Sequence, residues 1–385
     1  MQQKSAEKTG EDQAMSEKDI MRIGKITQTA WRRSVRKHLH TGDGDVLFAL
    51  SPWESCSGFQ TETGDGYVWA DAHVSGDDAG TGYYAVYHAA GELAARNVRA
   101  RGAAVYVMLP QGSREEQLAG IAAGVDRACR ELEIPVTDFQ GEVSGAVVHT
   151  VVTVCAAGVR QDQKAQQDQK VWQDQRTQQG QELQQGQSPQ KMTAVNSVKA
   201  VWREAVAQRE IIMCGYAGLE GTLRILDEAQ TELETRFVSA FLEQTKGLTV
   251  ELTRPGQILK VFECDRNASV RQIGSGGIMA ALWELSETAG IGFEIDMPQI
   301  ALKQETVEIC EFYRLNPYLM TSAGSYLILT DAGEAVIRAL EETGAHAVRL
   351  GAARDQNARV IQNGEEIRYL DRPAPDELEI WRSKR

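Results

Sequence analysis

The chain has 385 residues, of which 42% are hydrophobic and 25% are charged, and its formal net charge is −13. A chain of this length can bury a substantial core, and it predicts two domains of ordinary size. The negative charge disfavours a large nucleic-acid or anionic-membrane footprint, so we expect neither nucleic acid nor a membrane among the partners.

Targeting signals and metal motifs are also missing from the sequence. Residues 1–19 lack the apolar core of a signal peptide and no run of about twenty apolar residues follows, which predicts a cytoplasmic protein. The six cysteines include no C-x-x-C pair, which argues against a zinc knuckle and a disulfide framework. The six histidines are equally dispersed, so metalloprotease and catalytic-triad chemistry have no support.

The N-terminal part predicts a tail followed by an α/β domain. Residues 1–19 are polar and free of aromatic side chains, which predicts a disordered tail. The spacing of Trp31, Val35 and Leu39 indicates an amphipathic helix, and strands alternate with helices up to residue 160. In this domain we predict strands at 46–50, 67–72, 105–109 and 146–156, helices at 84–95 and 113–132, and a loop at 51–66.

Carboxylates in this domain are candidate ligands. Asp71 lies near the end of a predicted strand, a common position for metal or phosphate ligands in α/β folds, although it could simply cap the next element. Asp77 and Asp78 lie together in the glycine-rich loop VSGDDAGTG. Adjacent loop aspartates are usually solvated, so this pair alone is a weak metal signal.

The composition changes abruptly after the first domain. A hexapeptide repeat, QDQKAQ, QDQKVW and QDQRTQ, begins at Gln161, Gln167 and Gln173. A period of six fits neither an amphipathic helix nor a heptad. We therefore predict a glutamine-rich, low-complexity insertion or linker at 161–191, with an interaction tract as the alternative.

The second domain is expected over residues 192–372, with a tail at 373–385. Its helices are predicted at 192–207, within 215–228 after a glycine turn, and at 231–244, 305–313 and 331–343. Its strands are predicted at 211–214, 294–296, 326–330, 347–350 and 360–362.

A glycine turn at the start of one helix is the best candidate for an anion site. Gly274, Gly276 and Gly277 precede apolar residues at helical spacing, so a helix begins there. The free N–H groups and the positive end of the helix dipole would point into the turn, where a phosphate is stabilised without a basic side chain. The alternative is a tight turn that feeds a core helix.

Several longer motifs recur along the chain. The C-terminal half contains GLEGT at 218–222, GGIMAALWELSETAGIGFEID at 276–296 and ETVEICEFYRLNPYLMTSAGSYLI at 305–328. The N-terminal half contains MRIGKI at 21–26, GYYAVYHAAGELAARNVRARG at 82–102, VMLPQGS at 107–113 and GEVS at 141–144. In these motifs the chain resembles the superfamily that contains aminoimidazole ribonucleotide (AIR) synthase, PurM, and the hydrogenase expression/formation protein HypE.

The resemblance implies both a fold and a site. The implied fold is α/β (α+β) with two PurM-like domains: an N-terminal domain that pairs in a homodimer to form a shared β-barrel, and a C-terminal α/β sandwich. ATP and Mg²⁺ are expected in the cleft between the domains, because Mg²⁺ needs carboxylate oxygens and phosphates need backbone N–H groups. The implied cofactor-binding residues are Asp71, Glu92, Glu142, Gly274, Gly276 and Gly277, of which Asp71 and Glu92 are the metal ligands.

The sequence departs from the family pattern mainly in its charges. Gly91 and Glu92 replace an Asn-Asp pair, and the turn that is Asp-x-Thr-Glu-Gly-Gly in the family keeps its last two glycines but loses every acid. The early glycine-plus-acid motif is represented by SPWESCSG, with Glu54 as its one acid. The last cysteine is Cys310, so the terminal thiol of HypE chemistry is absent and its usual route of cyanide delivery is not expected.

Three functions follow as hypotheses. The first is a homodimeric, HypE-like or AIR-synthase-related protein, similar to hydrogenase maturation factors, whose ATP-dependent chemistry is weakened or lost. The second is an active Mg-ATP-dependent enzyme of the ligase or dehydratase type that acts on an unknown small molecule or protein group, with Asp77 or Asp78 helping to rebuild the metal site. The third is a non-catalytic dimeric scaffold that recruits a protein partner. The catalytic residues are unknown in each case.

Overall fold

The computed structural model describes residues 21, 23–39, 45–62, 65–160 and 209–385. The tail predicted at 1–19, the glutamine-rich tract at 161–191 and the helix predicted at 192–207 lie outside the described residues. The chain comprises two units, Met1–His40 and Thr41–Arg385. In the first unit, helix α1 (Gln28–Ser34) contains Trp31 and begins after Thr27, whose side chain accepts a hydrogen bond from the Ala30 amide.

The N-terminal half of the second unit is built on a five-stranded sheet, called here sheet A. Its strands are β1 (Cys56–Gln60), β2 (Gly66–Ser75), β3 (Ala100–Pro110), β4 (Val136–Ser144) and β5 (Val151–Arg160). The order is β1-β2-β5-β3-β4, and only the β3–β4 pair is parallel. Buried and exposed residues alternate along β2, because successive side chains point to opposite faces and one face carries the core.

Helix α2 (Gly80–Ala94) lies on the core face of sheet A, and helix α3 (Glu115–Glu131) packs beside it. A side chain at Gly82 would lie 2.6 Å from the Ile121 carbonyl oxygen, and one at Gly124 would lie 2.4 Å from the Ala79 carbonyl oxygen. The two helices approach closely because both positions lack a side chain. Twelve of the 15 residues of α2 are buried, since this helix also contacts the C-terminal half.

Within residues 209–385, the C-terminal half forms a seven-stranded sheet, called sheet B, and seven α-helices. Its strands are β6 (Glu210–Cys214), β7 (Ser269–Gln272), β8 (Gly292–Asp296), β9 (Tyr326–Thr330), β10 (Ala347–Arg354), β11 (Arg359–Asn363) and β12 (Glu366–Tyr369). The order is β12-β11-β8-β10-β6-β9-β7. Its helices are α4 (Leu219–Leu233), α5 (Ser239–Gly247), α6 (Pro255–Cys264), α7 (Gly277–Ala289), α8 (Gln304–Tyr313), α9 (Gly333–Glu341) and α10 (Glu377–Ser383).

Sheet B is packed on both faces. Alternate residues of β6 enter different cores: Ile211 lies with the α7 residues Ile278 and Leu282, whereas Ile212 lies with Ile258 of α6 and Val336 of α9. This two-sided burial explains why β6 and β9 are apolar at nearly every position. No helix in the described part of the chain has both the length and the apolar character needed to cross a bilayer.

Several predicted elements differ in the structure. The strand predicted at 46–50 is wrong, since Val46 forms only an isolated bridge with Phe59, and the predicted loop contains β1. The strand β4 was not predicted, because nearly all of its side chains are exposed and it has no apolar alternation. The helix predicted at 231–244 is instead the end of α4 and the start of α5. Helices α6 and α10 and strands β7 and β12 were also not predicted.

The glycine turn before α7 predicts a matched pair of stability changes. Gly277 has φ +65°, and a side chain there would lie 2.4 Å from the Tyr318 carbonyl oxygen. Gly277→Ala should therefore lower the free energy of unfolding by about 2–4 kcal/mol, from the unfavourable φ and the overlap. Gly274→Ala is the control, because its added carbon meets nothing within 4 Å, and it should change stability by less than about 0.5 kcal/mol. Urea denaturation of both variants measures the difference, and equal effects would contradict the packing argument.

Candidate functional site

The boundary between the two halves, where α2 meets α4, is held by a largely buried ion pair. His88 Nε2 of α2 lies 2.9 Å from Glu220 Oε2 of α4, and their side chains are 13% and 1% exposed. The Glu220 carboxylate also accepts hydrogen bonds from the Thr321 hydroxyl and the Ala323 amide, both at 2.8 Å. This carboxylate therefore ties helix α2 to two segments of the C-terminal half.

The ion pair changes the titration of both partners. Burial disfavours the charged form of Glu220, but the nearby His88 and Arg224 outweigh it and lower the Glu220 pKa to about 2. Burial likewise opposes charge on His88, whereas the Glu220 carboxylate raises the His88 pKa above its usual value. Each charge is thus stabilised by the other inside the protein.

Further charges of alternating sign extend this boundary. Arg224 of α4 donates to Asp78 at 3.1 Å, and Arg382 of α10 donates to the Ser75 carbonyl oxygen at 2.7 Å and to Glu228 at 3.0 Å. Both guanidinium groups lie close to Gly76, where a side chain would be within 2.6 Å of each. We call this chain of charges the seam network, and it consists of His88, Glu220, Arg224, Asp78, Arg382 and Glu228.

The two loop aspartates have different surroundings. Asp78 is buried and belongs to the seam network, where the positive charges of Arg224 and Arg382 lower its pKa despite its burial. Asp77 is partly exposed; its carboxylate lies 2.8 Å from His149 Nδ1 and accepts hydrogen bonds from Thr150. Both carboxylates are therefore engaged by protein groups, and the expectation of a solvated pair is wrong for Asp78.

The three predicted acidic ligands lie on different elements. Asp71 is exposed on β2, opposite Cys155 in the register with β5. Glu142 is exposed on β4, and two strands separate β4 from β2. The backbone positions of Asp71 and Glu142 are therefore about 14 Å or more apart. Glu92 lies on α2, where its carboxylate accepts a hydrogen bond from the Ser55 hydroxyl.

These placements do not fit a preformed magnesium site. Within the described residues, no group of three or more His, Cys, Asp and Glu side chains is arranged to hold a metal ion. The position beside Glu92 is also filled, because Gly91 has no side chain and leaves space for Gln272 of β7. Gln272 Nε2 lies 3.4 Å from the Tyr87 carbonyl oxygen of α2, so an amide connects these elements.

The glycine turn forms the N-terminus of α7, and it faces a carboxylate of the same chain. Gly276 and Gly277 have φ values of +86° and +65°, and the Gly277 amide donates to the Gly274 carbonyl oxygen at 3.0 Å. The Gly276 amide donates to Asp376 Oδ2 at 2.7 Å. Burial raises the pKa of Asp376 to about 6, so this side chain is mainly an anion at neutral pH. The predicted anion position therefore already contacts a negative charge.

Sequence reasoning missed several of these residues. Glu220 lay within the quoted motif GLEGT, but the motif gave no sign that its acid pairs with His88. Asp376 was included in a tail, although an Asp followed by apolar residues at helical spacing is a recognisable N-cap signal. That signal predicts α10 but not the contact between Asp376 and the glycine turn.

Comparison with known families identifies both halves. The model for the AIR synthase related protein, N-terminal domain, matches residues 61–159. The model for the AIR synthase related protein, C-terminal domain, matches residues 211–362. The two matched regions include four of the five strands of sheet A, from β2 to β5, and six of the seven strands of sheet B, from β6 to β11.

Individual relatives agree with these matches. The carbamoyl dehydratase HypE of Rhodobacter capsulatus is 32% identical over 99 residues, and the match spans 24% of this chain and 29% of that protein. Among solved structures, the HypE–HypF complex contains a chain with a TM-score of 0.58 and 15% identity, covering 83% of this chain and 93% of that one. AaThiL complexed with AMPPCP and TMP has a TM-score of 0.59 and 13% identity, covering 91% and 99%. At such identities the structural similarity shows the fold.

The His88–Glu220 pair predicts a specific pH dependence of stability. The His88 pKa is raised in the folded state, so its contribution to stability is present below about pH 6.5 and is lost as the pH rises through the folded-state pKa. His88→Gln should remove this alkaline loss, whereas His73→Gln on the exposed face of β2 should keep the wild-type profile. Urea unfolding between pH 6 and 9 measures both variants, and a wild-type slope in His88→Gln would contradict the assignment.

Proposed function

We propose a function for this chain, which belongs to the AIR synthase related protein family and has the PurM-like fold. It is a HypE-like protein, similar to hydrogenase maturation factors, with weakened ATP-dependent chemistry. ATP is the proposed ligand because the similar AaThiL structure contains AMPPCP, which is chemically an ATP analogue. The phosphate is proposed to bind at the glycine turn, where the N-terminus of α7 supplies backbone amides.

One observation carries the weakened form of this function. The groups expected to hold Mg²⁺ and phosphate have partners within the protein: Glu92 accepts from Ser55, and the Gly276 amide donates to Asp376. The exposed Asp71 and Glu142 lie on separate strands of sheet A. Because these acids do not converge, we assign no catalytic step to them.

An active Mg-ATP-dependent enzyme is the second candidate. It is favoured by the open space at Gly274, where an added side chain would meet no atom within 4 Å. In the described residues, the amides of Ile278 and Met279 in the first turn of α7 donate to no protein acceptor, as a phosphate-binding helix terminus requires. This candidate needs Asp71, Glu92 and Glu142 to converge when the ligand binds.

We also propose that the chain forms a homodimer through the open face of sheet A. Phe59, Tyr67 and Tyr106 project from this face and are exposed, and Phe59 also contacts Trp69 edge to face. Large exposed aromatic side chains on one sheet face are typical of an interface. Two such sheets from different copies would cover each other, which is the shared barrel that the family resemblance implies.

A protein partner is proposed as well. HypE in the similar structure is in complex with HypF, so this HypE-like chain is expected to bind a protein of comparable role.

The weakened-site proposal predicts ATP turnover close to the buffer background. Asp71→Asn and Glu92→Gln should leave this low rate unchanged, because neither carboxylate lies in a converged metal site. Asp126→Asn, which alters an exposed carboxylate on α3, is the matched surface control. Phosphate release with Mg²⁺ and ATP measures all four proteins. Turnover that both site substitutions abolish, but the control does not, would establish the active enzyme instead.

The dimer proposal predicts that charge on the open sheet face separates the copies. The double variant Trp69→Arg and Tyr106→Arg should sediment as a monomer at concentrations where the wild-type chain is a dimer, because two buried cations would face each other. Val250→Arg is the control, since Val250 is 88% exposed in the C-terminal half and lies on another surface. A wild-type monomer at all concentrations, or a dimeric double variant, would contradict this interface.

A further inference from the structure

The last helix of the chain contacts the proposed phosphate position directly. Asp376, which is 3% exposed, caps this helix by accepting a hydrogen bond from the Leu378 amide at 2.9 Å through Oδ1. Its other oxygen accepts from the Gly276 amide at 2.7 Å. One carboxylate therefore caps its own helix α10 and occupies the N-terminal end of α7.

The rest of α10 is anchored to both halves of the protein. Leu378 and Trp381 are buried in a cluster with Ile225 of α4 and Ile309 of α8. On the polar side, Arg382 donates to the Ser75 carbonyl oxygen at 2.7 Å, and the Ser75 hydroxyl donates to Glu379 at 3.0 Å. The helix thus joins the end of β2 to α4 and α8, and its release would break both this apolar packing and the contacts of Arg382 with the seam network.

The segment between β12 and α10 has no regular secondary structure. Residues 371–375 form neither helix nor strand and contain two prolines, and sheet B is already complete at β12. The backbone of α10 pairs with no strand of either sheet. Release of the helix would therefore leave the strand pairings of sheets A and B intact.

We propose that residues 376–383, called here the strap, are a self-inhibitory segment that a phosphate group of a nucleotide displaces from the glycine turn. This inference rests on the nucleotide binding proposed above for the same turn. The Asp376 carboxylate acts as an intramolecular stand-in for the phosphate, since both are anions that accept hydrogen bonds from the amides at a helix N-terminus.

Competition follows from the shared position. The Gly276 amide has one hydrogen atom to donate, and a phosphate placed there would lie against the ionised Asp376, so the two anions exclude each other. The apparent affinity for phosphate equals the intrinsic affinity of the uncovered turn multiplied by the fraction of molecules in which the strap is released. Loss of the carboxylate charge, or looser anchoring of the helix, should therefore raise the affinity.

Asp376→Asn in the full chain tests the carboxylate. The substituted side chain keeps an oxygen for capping but loses the negative charge, so calorimetric titration with ATP and with inorganic phosphate should show at least about tenfold tighter binding than in the wild-type chain. Glu377→Gln is the matched control, because it makes the same chemical change one residue away and Glu377 does not contact the glycine turn. The control should bind as weakly as the wild type.

Trp381→Ala tests the strap from its other end. This change removes an apolar anchor without altering the glycine turn, so it should also raise the affinity for both anions. Increased amide hydrogen exchange within 377–383 on addition of phosphate to the wild-type chain should report release of the strap.

The outcomes separate this inference from the function proposed above. Wild-type chain and Asp376→Asn that bind ATP equally well would overturn the strap and leave nucleotide binding in place. Variants in which both anions bind more tightly, but ATP no more tightly than inorganic phosphate, would support the strap and count against the nucleotide site proposed above. No binding of either anion by Asp376→Asn or Trp381→Ala would overturn the strap, because the uncovered turn would then have no affinity for phosphate.

Discussion

The structure depends on the seam network, in which largely buried side chains with charges of alternating sign join the two halves. Helix α2 contributes a histidine, helix α4 a glutamate and an arginine, the loop after β2 an aspartate, and helix α10 a second arginine. Removing one member of such a buried set leaves its neighbour unpaired and typically costs about 3–5 kcal/mol. The network therefore determines how α2, α4 and α10 are placed together.

This constraint also shapes the candidate site. Asp78, which the sequence offered as a metal ligand, is paired with two arginines, and the glycine turn is closed by the helix that carries one of them. Charged side chains that could bind a ligand thus pair with other groups of the protein. The proposed strap and the proposed weakened chemistry therefore rest on the same arrangement, in which the Asp376 carboxylate of a short helix accepts the Gly276 amide.

Much of the fold was predictable because, in long segments, the spacing of apolar residues indicates whether the segment is a helix or a strand and which face is buried. The apolar runs of β6 and β9 and the helix after Gly277 were predicted close to their observed bounds. The edge strand β4 was missed because its exposed side chains carry no alternation, and β1 was missed because its strand conformation comes from pairing with β2. The site was predictable in part: the glycine turn was located, but not its contact with Asp376.

The sequence by itself determined the family, the α/β character and the glycine turn, since these are carried by motifs and periodicities of residues that are close in the chain. Only the tertiary structure decided that His88 meets Glu220, 132 residues away, and that Asp376 meets Gly276, 100 residues away. The physical reason is that a charged side chain is equally compatible with solvent, with a ligand or with an ion pair. Which of these it has depends on the groups that folding brings to within about 3 Å of it.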